Sequence, residues 1–205
     1  MNKPVTKPPL PKARAIKQGT YTKRNNDDGM LNVKVTLRLD SLPDKQHIRV
    51  LDAFGGEGKL WDTVKRQRPD VEFSILSIDR NQYEKKVQLQ GDNIKFLLGL
   101  DLRQYDIIDL DAWGSPAKQL ELILNRGYKG IVHCTFIQTG YGGLGREMLN
   151  VLGYSQSMVK KAQSLFNRHG FKKFQAYLAL KGIKEITYYS TARGRSQKNY
   201  LYFSV

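Results

Sequence analysis

"VLDAFGGEGKL", residues 50–60, is an apolar run that ends in an acid and breaks at once into three glycines before a helix-forming stretch resumes. Glycine reaches positive φ at no steric cost, and without a Cβ it lets a ligand lie against the backbone. A strand that stops in such a turn and feeds a helix is the local pattern of a parallel α/β sheet, whose ligands bind beyond the carboxyl ends of the strands. Gly55, Gly56 and Gly58 do not keep the dinucleotide spacing Gly-x-Gly-x-x-Gly, and no Gly-Lys-Ser/Thr ending marks a phosphate loop.

Outward from this stretch, short apolar runs alternate with amphipathic segments from Ile48 onward, which predicts a parallel sheet covered by helices on both faces. Strands are expected at "IRVLDAF", "EFSILSID", "YDIIDLD" and "KGIVHCTF", with a weaker one at "KVQLQ". Helices are expected at "GKLWDTVKRQ", "PAKQLELILNR" and "SMVKKAQSLFNRHG", the last stopped by Gly170. "IKEITYYST" and "NYLYFSV" flank the basic loop "ARGRSQK" and read as a hairpin, so one terminal strand should run antiparallel to the others. Upstream, "MLNVKVTLRLD" alternates strictly, with Leu31, Val33, Val35, Leu37 and Leu39 on one face, and reads as a half-buried strand.

Length and composition fit one α/β core, since 205 residues are 40% hydrophobic. Residues 1–29 hold four of the seven prolines and no sustained apolar period, so they read as an extended or disordered arm ahead of a domain at 30–205. Cys134 is the single cysteine, which excludes an internal disulfide. No apolar run reaches membrane-spanning length and no secretory leader is visible, so a cytoplasmic chain without membrane contact is expected.

The net charge of +15 is uneven. Residues 1–26 carry seven Lys or Arg and no acid, and residues 148–205 carry ten against Glu185 alone, which leaves 27–147 at 15 − 7 − 9 = −1. Two basic flanks around a neutral middle suggest a polyanionic partner. Lys12, Arg14, Lys17, Lys23 and Arg24 in the arm, and Arg193, Arg195 and Lys198 around the hairpin loop, are the candidate phosphate contacts.

"VLDAFGGEG" resembles the first motif of class I S-adenosylmethionine-dependent methyltransferases, in the variant with Phe54 after the acid that methylates nucleobase nitrogens. The resemblance covers about residues 47–138. It implies a Rossmann-like seven-stranded sheet, mostly parallel, with S-adenosyl-L-methionine as cofactor. The glycine loop with Phe54 would wrap the methionine end, Asp52 would lie near its amino group, and Asp79 would hold the ribose hydroxyls. Asp92 would meet the adenine amino group, with Asn93 beside it. "DLDAWGSP", 109–116, is similar to the Asp-x-Asp-Pro-Phe/Tyr-Gly-Ser-Pro stretch of tRNA guanine-N2 dimethyltransferases, with Ala112 in place of the first proline. The Asp/Asn-Pro-Pro-aromatic stretch of DNA adenine-N6 and cytosine-N4 methyltransferases shares only the leading acid.

An exocyclic amine is a weak nucleophile because its lone pair is conjugated into the ring. Asp111, or the carbonyl of Ala112, can accept its hydrogens, and Trp113 can stack on an extruded base. The residues alone also allow Asp111 to cap the next helix and Trp113 to sit at a core edge. Asp109 lies inside an apolar run and needs a partner if buried. Cys134 reads as a core residue, His133 and His169 lack companions for zinc, and Tyr188, Tyr189, Tyr200 and Tyr202 read as packing against helices. "YGGLGRE", 141–147, reads as a flexible lid. The expected function is methyl transfer to a base nitrogen of nucleic acid, RNA before DNA, with guanine N2 in tRNA favoured. The alternatives are a DNA amino-methyltransferase and a non-catalytic nucleic-acid-binding module.

Overall fold

The computed structural model describes residues 11–15, 28–80, 87–138, 146–161, 169–193 and 196–205. Among them eight strands form one sheet: β1 (Lys12–Ala15), β2 (His47–Asp52), β3 (Glu72–Asp79), β4 (Leu89–Gln90), β5 (Ile107–Leu110), β6 (Ile131–Gln138), β7 (Glu185–Arg193) and β8 (Ser196–Ser204). Their order across the sheet is β1-β7-β8-β6-β5-β2-β3-β4. β8 pairs antiparallel with both β6 and β7, and every other pairing is parallel. The C-terminal hairpin and the mostly parallel sheet are as the sequence predicts. The count differs from seven by one, because residues 12–15 of the basic segment add an edge strand along β7.

Helices are α1 (Asp28–Ser41), α2 (Lys59–Gln67), α3 (Asn93–Gly99), α4 (Ala117–Asn125), α5 (Arg146–Val151), α6 (Gln156–Lys161) and α7 (Gly170–Leu180). Period-2 alternation divides the strand residues between two cores. Leu51 and Ile108 face one side, with Leu97, Leu120, Ile123, Phe174 and Leu178 from α3, α4 and α7. Val50 and Ile107 face the other, with Trp61 and Val64 of α2 and Val35 of α1. Tyr189 and Tyr200 are buried against Leu37 of α1, with Tyr202 packed beside them. No helix among the described residues is long and apolar enough to cross a membrane.

Two local expectations are corrected. Residues 30–40 form most of helix α1, not a strand. The alternating apolar residues misled because the polar residues divide between two faces of a helix: Asn32, Thr36 and Asp40 are exposed, whereas Arg38 and Ser41 are buried and Lys34 is half-buried, each on a partner distant in sequence. Gly170 opens α7, with His169 before it in the left-handed region at φ 63, and residues 162–168 of the helix that it was expected to stop lie outside the described residues. Arg146 and Glu147 belong to α5 and not to a loop, while 141–145 lie outside the described residues.

Candidate active site

The chain leaves β2 outward to β3 and β4, then crosses back to β5 on the other side of β2. Strand order therefore reverses between β2 and β5, and in open α/β sheets ligands bind at the carboxyl side of such a switch point. Asp52 ends β2, opposite Asp109 of β5, and Asp79 ends β3. Asp111 follows β5 directly.

The glycine loop sits tightly on β3. The N–H of Gly55 donates to the Ile78 carbonyl at 3.0 Å, and a Cβ at position 55 would come within 2.8 Å of Ser77 Cβ. Glycine is demanded there by close approach. Gly56 and Gly58 have φ 49 and φ 70, a region that side chains disfavour. The N–H of Gly56 donates to Asp79 Oδ2 at 3.1 Å, so the Asp79 carboxylate faces the loop.

The remaining cofactor candidates divide into those at the edge and those that brace it. Asp52 accepts from the Phe54 N–H at 3.2 Å, and Phe54 itself packs on the core. Burial, then the like charge of Asp109, holds the Asp52 carboxyl well above the ordinary carboxylate range. Asp92 caps α3 by accepting from the Ile94 N–H at 3.0 Å. Asn93 is buried with both ends of its amide engaged: Nδ2 donates to the Ala53 carbonyl and Oδ1 accepts from Gln119, each at 2.9 Å. Asn93 thus ties the residue after β2 to α4.

Asp109 has the partner that its burial requires. Arg38 donates to it through Nη2 at 2.6 Å and Nε at 3.0 Å, and Trp61 Nε1–H donates to Oδ2 at 2.9 Å. Burial raises the Asp109 carboxyl above its ordinary range, and Arg38 opposes the rise. Asp111 accepts from Lys34 Nζ at 2.6 Å through Oδ2 and from Thr135 Oγ1 at 3.0 Å through Oδ1. It does not cap α4, whose N-cap position is Pro116. Between them the chain is pinned by Ser115, whose Oγ accepts from the Ile137 N–H at 2.9 Å. Trp113 projects from this short loop 85% exposed, so it is not a core-edge residue.

Lys34, Arg38, Trp61 and Thr135 escaped the sequence reading. The available signal was Lys34 and Arg38 at helical i, i+4 spacing, which a strand assignment turns outward. In the same row, Ser41 Oγ meets His133 Nε2 at 2.8 Å. Burial, then Arg38, pushes the His133 imidazole well below its ordinary value, so it is neutral. Cys134 is buried and its thiol is pushed up by that burial.

The adjoining ends of β7 and β8 lie on the same edge of the sheet, since Gln197 and Lys198 sit opposite Gln138 and Ile137 at the carboxyl end of β6 and Arg193 pairs with Ser196. Lys198 and the backbone of Arg193 therefore share the edge with Asp111. The Arg193 side chain and Arg195 lie outside the described residues. Lys12 is exposed and 3.7 Å from Glu185. Arg14 is in β1 with its side chain undescribed, and Lys17, Lys23 and Arg24 lie outside the described residues.

Among solved structures, the delta-N METTL16 MTase domain is similar over 88% of this chain and 84% of its own, at 12% identity and TM-score 0.51. The chain has a Rossmann-like methyltransferase fold. EvdMO1 is similar over 85% of this chain and 40% of its own, at 14% identity and TM-score 0.51. The CurJ carbon methyltransferase is similar over 83% and 53%, at 14% identity and TM-score 0.47. The chain thus spans about half the length of these last two structures. No family model matches the sequence, and no curated protein matches it.

Proposed function

We propose that this chain is an S-adenosylmethionine-dependent methyltransferase acting on a base nitrogen of nucleic acid, RNA in preference to DNA, with guanine N2 the favoured target. The observation that carries the reading is the pairing, on one edge of a methyltransferase-type sheet, of a carboxylate held from two sides at Asp111 with an unpacked indole at Trp113 two residues on. An exposed tryptophan beside a fixed acceptor suits a flat base that carries an amine.

The residues on this edge fit the cofactor. Glycine at 55 lets the loop close onto β3 and glycine at 56 takes up positive φ, Asp79 faces that loop, and Asp52 is a buried acid for an ammonium group. Three acids, Asp52, Asp109 and Asp111, stand against two cations, Arg38 and Lys34, which favours a positively charged ligand. Bound there, the cofactor supplies an electrophilic methyl group. Asp111 then accepts a hydrogen of the target amine, since a carboxylate has about four acceptor positions and two are engaged. Trp113 stacks on the base, and alignment of the amine supplies much of the rate. Lys198 and the basic segments supply phosphate contacts.

Incubation with methyl-labelled cofactor and either tRNA or duplex DNA, followed by nucleoside mass spectrometry, tests the reading. Label in tRNA as N2-methylguanosine is expected. Label in DNA alone overturns the RNA preference, and no binding of S-adenosylhomocysteine by calorimetry overturns the enzyme in favour of a binding module.

A further inference from the structure

Helix α1 touches the site through two ion pairs at once, and the geometry explains why they coexist. Lys34 and Arg38 are four residues apart on the helix, a rise of about 6 Å. Asp111 and Asp109 are two residues apart at the end of β5, a rise of about 6.6 Å. With α1 running against β5, Lys34 meets Asp111 at 2.6 Å while Arg38 forks onto Asp109. The Lys34 ammonium also lies 5.1 Å from the Tyr200 ring centroid, and the Lys34 carbonyl accepts from Arg38 Nη1 at 3.2 Å. Lysine stems are flexible, so a lysine held at its head, beside an aromatic face and at its backbone is an unusually well-located charge.

We propose that Lys34 is a positioning residue for Asp111, and that α1 is thereby a working part of the active site. The inference rests on the methyltransferase reading above. An unheld aspartate after a strand rotates among several rotamers. Here Lys34 from α1 and Thr135 from β6 take one oxygen each and fix the carboxylate plane. The side chains are 24% exposed at Lys34 and 14% at Asp111, so the pair is shielded from water yet open enough to meet a ligand.

The test uses the full chain with four variants: Lys34→Met, Lys34→Arg, Asp111→Asn and the double Lys34→Met/Asp111→Asn. Lys34→Met is expected to lower kcat about tenfold, the scale of a slightly misplaced reacting group. KM for RNA and affinity for S-adenosylhomocysteine stay within about twofold, because uniform binding is untouched. Lys34→Arg restores most of the rate, and Lys34→Met adds nothing once Asp111 is Asn, as expected of a residue acting through its neighbour. An unchanged kcat in Lys34→Met overturns the proposal, as does an equal further loss in the Asp111→Asn background. A rise in KM alone also overturns it and makes Lys34 a phosphate contact. A wild-type protein that binds S-adenosylhomocysteine but methylates neither RNA nor DNA overturns the functional reading and this inference with it. An active wild type indifferent to Lys34 overturns the inference alone.

Discussion

Replacing Arg38 by methionine isolates the energetics of the pairing that docks α1. The substitution keeps the aliphatic stem and removes the two hydrogen bonds to Asp109 together with the one to the Lys34 carbonyl, leaving the buried Asp109 carboxylate with Trp61 Nε1–H as its remaining side-chain donor among the described residues. Removing one partner of a buried ion pair costs about 3–5 kcal/mol, because the other charge stays desolvated. For a domain of this size each kcal/mol is worth about 2–4 °C, so the melting temperature should fall by roughly 6–20 °C. The loss should depend on pH. Burial already raises the Asp109 carboxyl, and without Arg38 only the weaker pull of the Trp61 hydrogen bond opposes the rise. The folded variant then holds a proton that the unfolded chain releases above about pH 3.9, so the penalty is absent below that value and grows as pH rises. Urea unfolding of wild type and Arg38→Met at pH 5 and pH 8 measures both effects. Adding Asp109→Asn should recover roughly half of the loss, since an unsatisfied amide costs about 1–3 kcal/mol and an unpaired charge more. A single-variant loss below about 1 kcal/mol, or a double variant no better than the single, refutes the account.

Two other expectations concern the candidate site. Asp52 sits well above the ordinary carboxylate range through burial and the nearby Asp109, so a cationic ligand should bind its ionised form and release a proton. Affinity for S-adenosylhomocysteine should then rise with pH across that raised titration, and Asp52→Asn should abolish the rise; calorimetry in two buffers of different ionisation enthalpy reads the proton count, and zero release contradicts the assignment. The same raised value means that Asp52 withdraws stability as pH climbs past the ordinary carboxylate value, so Asp52→Asn should flatten the pH dependence of unfolding. Trp113→Ala should shift stability by no more than about 0.5 kcal/mol, the ring being largely in solvent. It should cost roughly 1–3 kcal/mol in kcat/KM if the ring stacks on the target base, and unchanged kinetics on RNA exclude that role.

Much of this protein is legible in its residues taken in order. Buried parallel strands declare themselves as apolar runs, so β2, β3, β5 and β6 were expected near their observed positions. The acids that end them, and the glycines that follow Asp52, mark the carboxyl edge of the sheet, the side on which open α/β sheets hold their ligands. The need of Asp109 for a partner was also readable, since an acid within an apolar run cannot be buried alone. The identity of that partner was not. Arg38 lies 71 residues away, and its segment alternates like a strand because its helical face toward β5 and β6 is polar, carrying Lys34, Arg38 and Ser41. Hydrophobic periodicity reports which residues avoid water, and it misassigns a helix whose buried stripe is charged and satisfied by distant groups. Local sequence therefore determined where the sheet ends and which acids line its edge. The docking of α1, the pairing of Lys34 with Asp111 and the exposure of Trp113 were decided only by tertiary structure, because each depends on groups brought together from elements distant in sequence.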